Sequence, residues 1–192
     1  YRWIYVFGKG DYPHHILVTT WILTKQLQDI PGSVIAHPAY QLLMLAIYFL
    51  LFQKASFFAI AVAIQVAAQV LIVWIIYRWL GAIDKRRWNW IRAALAVTLT
   101  IVTPIMAFVM WDRLYYIGYI GLATYHNPTI QLLKPVALVS FLCAVRTLAP
   151  GRSSRAFVLL SAGLTVLSAL IKPNYLLCIV PALALVAALF TV

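Results

Sequence analysis

The chain has 192 residues, of which 65% are hydrophobic and 10% charged, with a mean hydropathy of +0.93. That balance excludes an ordinary soluble domain and describes an all-α, polytopic transmembrane bundle. The formal charge of +11 does not build a nucleic-acid-binding face. The basic residues flank apolar runs, where they orient helices and touch anionic lipid, so no nucleic-acid partner is expected.

The sequence opens Tyr1-Arg2-Trp3 without a Met and stops at Phe190-Thr191-Val192 inside an apolar run. We therefore expect a piece of a longer membrane protein, truncated at both ends. Close to the start, "GKGDYPHH" (8–15) sets one of only four acidic residues, all of them Asp, in a turn bounded by Gly and Pro. Asp11 reads as a general base or as a helix cap with Pro13 in the first turn, and the two roles are compatible. His14 and His15 point about 100° apart on a helix, so no more than one of them joins Asp11. With no His-x-x-x-His spacing, no metal is expected.

Residues 1–55 read as an extracytoplasmic loop with two interfacial helices. Over 14–30, Ile16, Leu23, Leu27 and Ile30 recur at helical spacing, with Lys25, Gln26, Gln28 and Asp29 for the wet side. Residues 38–53, "PAYQLLMLAIYFLLFQ", are apolar almost all round. About 16 residues give only ~24 Å of helix against a hydrocarbon core of ~30 Å, which favours a helix along the interface over a span. Counted as a span, this segment would move the Asp11 turn to the opposite side.

Residues 56–192 supply five expected spans, at about 56–79, 92–111, 129–147, 156–172 and 175–192. In the first, Gln65 and Gln69 are four apart and form a polar stripe turned into the bundle. In the second, Pro104 with Thr100 and Thr103 reads as a tolerated kink. At its end, Asp112 is either a local ion pair with Arg113 or a second acid on the catalytic face. The third span starts at "TYHNPT" (124–129), with Asn127 as N-cap and Pro128 at the first helical position. A helix end of this kind is an anion site. Lys134 lies two turns further in, next to Pro135, and reads either as a phosphate ligand facing a polar cavity or as a snorkelling lysine. Asp11, His126 and Lys134 are expected to line one outward-opening cavity. Lys172, before Pro173, Asn174 and Tyr175, is a second phosphate candidate or an interfacial anchor. Cys143 and Cys178 read as small core residues.

Arg78, Lys85, Arg86, Arg87 and Arg92 follow the first span, and Arg146, Arg152 and Arg155 follow the third. Two spans separate these clusters, so both fall on one side, which the positive-inside rule makes cytoplasmic. Asp11, Asp29, Asp112 and the four histidines, His14, His15, His37 and His126, then share the outer face.

The outer "GDYPHH" loop, a surface helix, the "HPAYQLL" entry into a juxtamembrane helix and a span ending in basic residues together resemble the GT-C superfamily. "YHNPTIQLLKP" and "SALIKPNYLL" are similar to stretches in bacterial members of that group. These are integral-membrane glycosyltransferases that use polyprenyl-phosphate sugars, among them the protein mannosyltransferases and the aminoarabinose transferases of lipid A. The resemblance implies inverting sugar transfer to a hydroxyl acceptor at the extracytoplasmic face of a bacterial plasma membrane, without metal or cofactor. It implies Asp11 as base, Asp112 as the only candidate for a second acid, and Lys134 and Lys172 with the helix end at Asn127 on the donor phosphate; His14 and His126, on the same outer face, are further candidates for substrate binding. The partners implied are a lipid-linked sugar donor, membrane lipids and an acceptor of unspecified chemistry. The rival readings are a transporter or lipid flippase, whose polar groups would sit at mid-membrane, and a non-catalytic transmembrane subunit of a larger complex.

Overall fold

A computed structural model of the chain describes residues 11–29, 32, 38–83, 89–101, 127–148 and 154–190. The described residues are helical throughout, with no strand among them. The helices are α1 (Tyr12–Leu23), α2 (Ala39–Leu50), α3 (Phe57–Ile83), α4 (Asn89–Ile101), α5 (Pro128–Leu148), α6 (Arg155–Ile171) and α7 (Asn174–Phe190), with a 3-10 turn at Leu27–Asp29. Of the five expected spans, two are long and apolar enough to cross a membrane: α3, with 27 residues, and α5, with 21. The described part of α6 and α7 is apolar but shorter. The second expected span is represented by α4 as far as Ile101, and its remainder, 102–111, lies outside the described residues.

The helix expected over 14–30 is shorter and turned differently. α1 starts at Tyr12 and stops at Leu23, where the Thr20 and Thr24 hydroxyls bond back to the Ile16 and Thr20 carbonyls at 3.0 Å each. Lys25 then takes a left-handed conformation, φ 59°, which ends the helix. Its buried residues are Tyr12, His15, Val18 and Thr19, with Ile16 packed at the margin of the core. α2 has 12 residues, about 18 Å of rise, in agreement with a short helix over 38–53. Phe52 and Gln53, both at positive φ, turn the chain, and Ser56 Oγ accepts the Ala59 N–H at 3.2 Å to open α3. Tyr12, Tyr40, Met44, Ile60, Ala61 and Ile64 form one apolar cluster, so α1 and α2 make a collar around the first turns of α3.

The remaining contacts fix the directions of the helices. α3 and α5 run parallel: Gln69, midway along α3, meets Gln131 near the start of α5, and Trp79 and Ala82 share a cavity with Leu142 and Arg146 near the ends of both. α4 returns along α3, with the Arg92 guanidinium against Gly81, where a Cβ would lie 2.7 Å from it. α6 returns along α5: the Arg146 guanidinium sits 5.1 Å from the Phe157 ring centroid, and Ser140 bonds Thr165 Oγ1 at 2.9 Å. Arg78, Arg92, Arg146 and Arg155 therefore gather at one end of the bundle, and Asp11, Asn127 and Lys172 at the other. Along α5, Asn127 and Arg146 are separated by about 28 Å of helical rise.

Candidate functional site

The Asp11 end is built from three segments distant in sequence. Asp11 occupies the N-cap position of α1, and its carbonyl accepts the His15 N–H at 3.0 Å, but its side chain makes no cap hydrogen bond. The carboxylate reaches across the bundle instead, and its Oδ2 accepts from Asn127 Nδ2 at 2.7 Å over a separation of 116 residues. The bond ties the start of α1 to the start of α5.

Asn127 performs two tasks. Its Oδ1 accepts the Ile130 N–H at 3.1 Å and the Thr129 hydroxyl at 2.7 Å, which makes it the cap of α5 as its sequence context predicts. The Gln131 N–H is taken by the Asn127 carbonyl, and Pro128 has none. Of the donors in the first turn, the Thr129 N–H alone stays outside this cap, together with the positive end of the helix dipole.

Lys172, in the break between α6 and α7, is half-buried and close enough to Asp11 for their charges to interact. Burial pushes its ammonium below the usual lysine range, and the Asp11 carboxylate opposes this by favouring the charged form. Lys134 is half-buried on α5, about 10 Å of helical rise beyond Asn127. The next residue, Pro135, has no N–H for the Gln131 carbonyl, which opens the helix ladder beside Lys134.

A line of buried amides continues inward from this end. The Tyr12 hydroxyl donates to Gln65 Oε1, and Gln69 Nε2 donates to Gln131 Oε1. The stripe predicted at Gln65 and Gln69 is thus turned inward and joins α1, α3 and α5. Gln65 Nε2 and Gln131 Nε2 are buried without a partner among the described residues. Beside them, Gln41 Nε2 lies 2.8 Å from His15 Nδ1, whose ring packs edge-on against Tyr40. With the amide donating to Nδ1, a neutral His15 carries its proton on Nε2.

The structure thus brings Asp11, Asn127 and Lys172 together and sets Lys134 two turns inward on the same helix. His14 is exposed on the other side of α1, whereas His15 is buried. Asp112 and His126 lie outside the described residues. Among the described residues no three His, Cys or Asp side chains gather as metal ligands. Of the cysteines, Cys143 is buried and Cys178 exposed on α7, so only the first packs as a core residue.

Sequence reasoning missed Tyr12, Gln41 and Gln131 as polar partners. Gln131 carried a usable signal: with Asn127 and Lys134 it stands at i, i+4 and i+7, one face of α5. Comparison with known family models, curated proteins and solved structures gives no match.

Proposed function

We propose that the chain is part of an integral-membrane glycosyltransferase that moves a sugar from a polyprenyl-phosphate donor to a hydroxyl acceptor at the membrane face carrying Asp11. The observation that carries this reading is the convergence of Asp11, Asn127 and Lys172 from three segments at one end of an apolar bundle. A carboxylate fixed by a neutral amide beside a half-buried cation supplies two functions that the reaction needs. Asn127 holds Oδ2, and Oδ1 is the atom that takes the acceptor's proton. Lys172, with Lys134 and the capped end of α5, receives the charge that develops on the departing lipid phosphate. The unpartnered amides of Gln65 and Gln131 are the donors available to a hydroxylated substrate or to ordered water.

Membrane insertion is supported by dimensions as well as composition. The rise of about 28 Å between Asn127 and Arg146 matches the ~30 Å hydrocarbon core of a bilayer, with polar groups at both ends. Large apolar side chains, such as Val70, Trp74, Leu159, Val166 and Leu177, are exposed between those ends. Asp11, Asn127 and Lys172 lie at helix ends and not at mid-depth, which favours transfer at a surface over transport through the bundle.

The test is Asp11→Asn in the full-length protein. Asn retains an oxygen to accept from Asn127 and loses the basic carboxylate, so the contact survives while the chemistry does not. Sugar transfer from a polyprenyl-phosphate donor in reconstituted vesicles should disappear, with the melting temperature nearly unchanged. Full turnover by this variant would remove Asp11 from the base role.

A further inference from the structure

The end of the bundle opposite Asp11 holds a second built feature. α3, α5 and α6 enclose an open cavity of about 590 Å³. Arg78 and Arg146 line it, Trp74, Trp79 and Phe157 supply aromatic walls, and none of the described residues lining it is acidic. Beside it, between α3, α4 and α5, lies a narrower cavity of about 230 Å³ whose described lining residues are all apolar, among them Ile76, Leu99, Leu138 and Phe141. The two cavities share Ile75, Trp79 and Leu142 as a common wall.

We infer that this pair of cavities binds one anionic phospholipid, its phosphate between Arg78 and Arg146 and an acyl chain in the apolar slot behind Trp79. Charge complementarity identifies the headgroup. Two guanidinium groups line a cavity with no carboxylate among its described residues, and a zwitterionic headgroup brings its own cation into that field. The Arg146 guanidinium lies 5.1 Å over the Phe157 ring centroid, a cation–π contact that uses none of its N–H donors for a hydrogen bond and leaves them for a phosphate oxygen. The adjoining apolar slot identifies the ligand as a lipid, since a free phosphate has no use for it. Trp74 and Trp79 are both about half exposed and suit the boundary between headgroup and chain. This inference rests on membrane insertion of the bundle and not on sugar transfer, so either can fail without the other.

The experiment is native mass spectrometry of the detergent-purified full chain with dioleoyl-phosphatidylglycerol, dioleoyl-phosphatidylcholine or inorganic phosphate added. Wild type should retain phosphatidylglycerol in preference to phosphatidylcholine and should not retain phosphate. Each of Arg78→Gln and Arg146→Gln should weaken that retention about fivefold. Leu138→Trp, which fills the slot and keeps both arginines, should weaken it as well. Lys54→Gln, exposed in the turn between α2 and α3 at the opposite end, should leave it unchanged. Equal retention of both lipids, or a Lys54→Gln loss as large as that of the arginine variants, would overturn the inference. Retention of phosphate alone, or indifference to Leu138→Trp, would remove the lipid from it.

Discussion

The two ends of the bundle use polar residues in different ways. At the Asp11 end, side chains bond one another across helices: Asp11 to Asn127, Tyr12 to Gln65, Gln69 to Gln131 and Gln41 to His15. At the arginine end, Arg78, Arg146 and Arg155 are exposed, and the defined partner of Arg146 is the ring of Phe157. The same helices, about 28 Å apart along α5, thus carry a bonded polar network at one end and solvated cations over aromatic walls at the other. Exposed arginines keep most of their hydration and need little fixed geometry to meet a headgroup. Asp11 and Asn127, in contrast, spend a charge-assisted bond on holding two distant segments together, which is the expected form of a preorganised site.

The largest stability effect that would break this comparison is at Asn127. Asn127→Ala removes a helix cap and the partner of the Asp11 carboxylate together, for an expected loss of about 2–4 kcal/mol. Arg146→Gln removes a half-solvated stacking contact and should lose less than ~1 kcal/mol. Thermal denaturation in detergent measures both. Comparable losses at the two positions would mean that the ends are equally structured. Asn127→Asp sharpens the test, since it keeps the cap oxygen and sets a second carboxylate against Asp11.

A smaller effect separates a bonded pair from its members. Gln69→Met alone strands Gln131 Oε1 in the interior and should destabilise by about 1–3 kcal/mol. The double replacement, Gln69→Met with Gln131→Met, removes both partners and also the unpartnered Gln131 Nε2. It should be close to neutral in denaturation experiments. An additive double mutant would show that the two amides do not act as a pair.

Local features of this bundle were legible in the sequence, and long-range ones were not. Asn127-Pro128 announced the start of α5 because capping is decided within four residues. The Lys172-Pro173 break and the short α2 followed equally from proline chemistry and from length. The inward stripe at Gln65 and Gln69 was visible because it occupies one face of an otherwise apolar helix. α1 was misjudged in extent and in its buried face. Its threonines and the left-handed Lys25 stop the helix, and packing against Tyr40 and Met44 selects Tyr12, His15, Val18 and Thr19 over the Ile16–Leu23 stripe. That Asp11 would meet Asn127 had no local sign at all, because the bond closes a loop of 116 residues.

Lys172 gives the smallest effect and the sharpest sign. Its folded value is lowered from the ordinary 10.5, first by burial, with Asp11 acting in the opposite sense. Below the folded value the ammonium is charged in both folded and unfolded chains, and the desolvation penalty is present in full. As pH rises from the folded value to 10.5, the native state releases its proton before the unfolded chain does. The unfolded state then binds more protons, so stability rises with pH over that window and levels off above it. Solvent screening of a half-exposed group keeps the gain small. Lys172→Met should flatten the difference in melting temperature across the window, and Asp11→Asn should move the rise to lower pH. The proposed phosphate role runs in the opposite direction, since it needs the ammonium, so transfer activity should fall over the same window in which stability grows. Activity and stability rising together would detach Lys172 from the donor phosphate while leaving its burial intact.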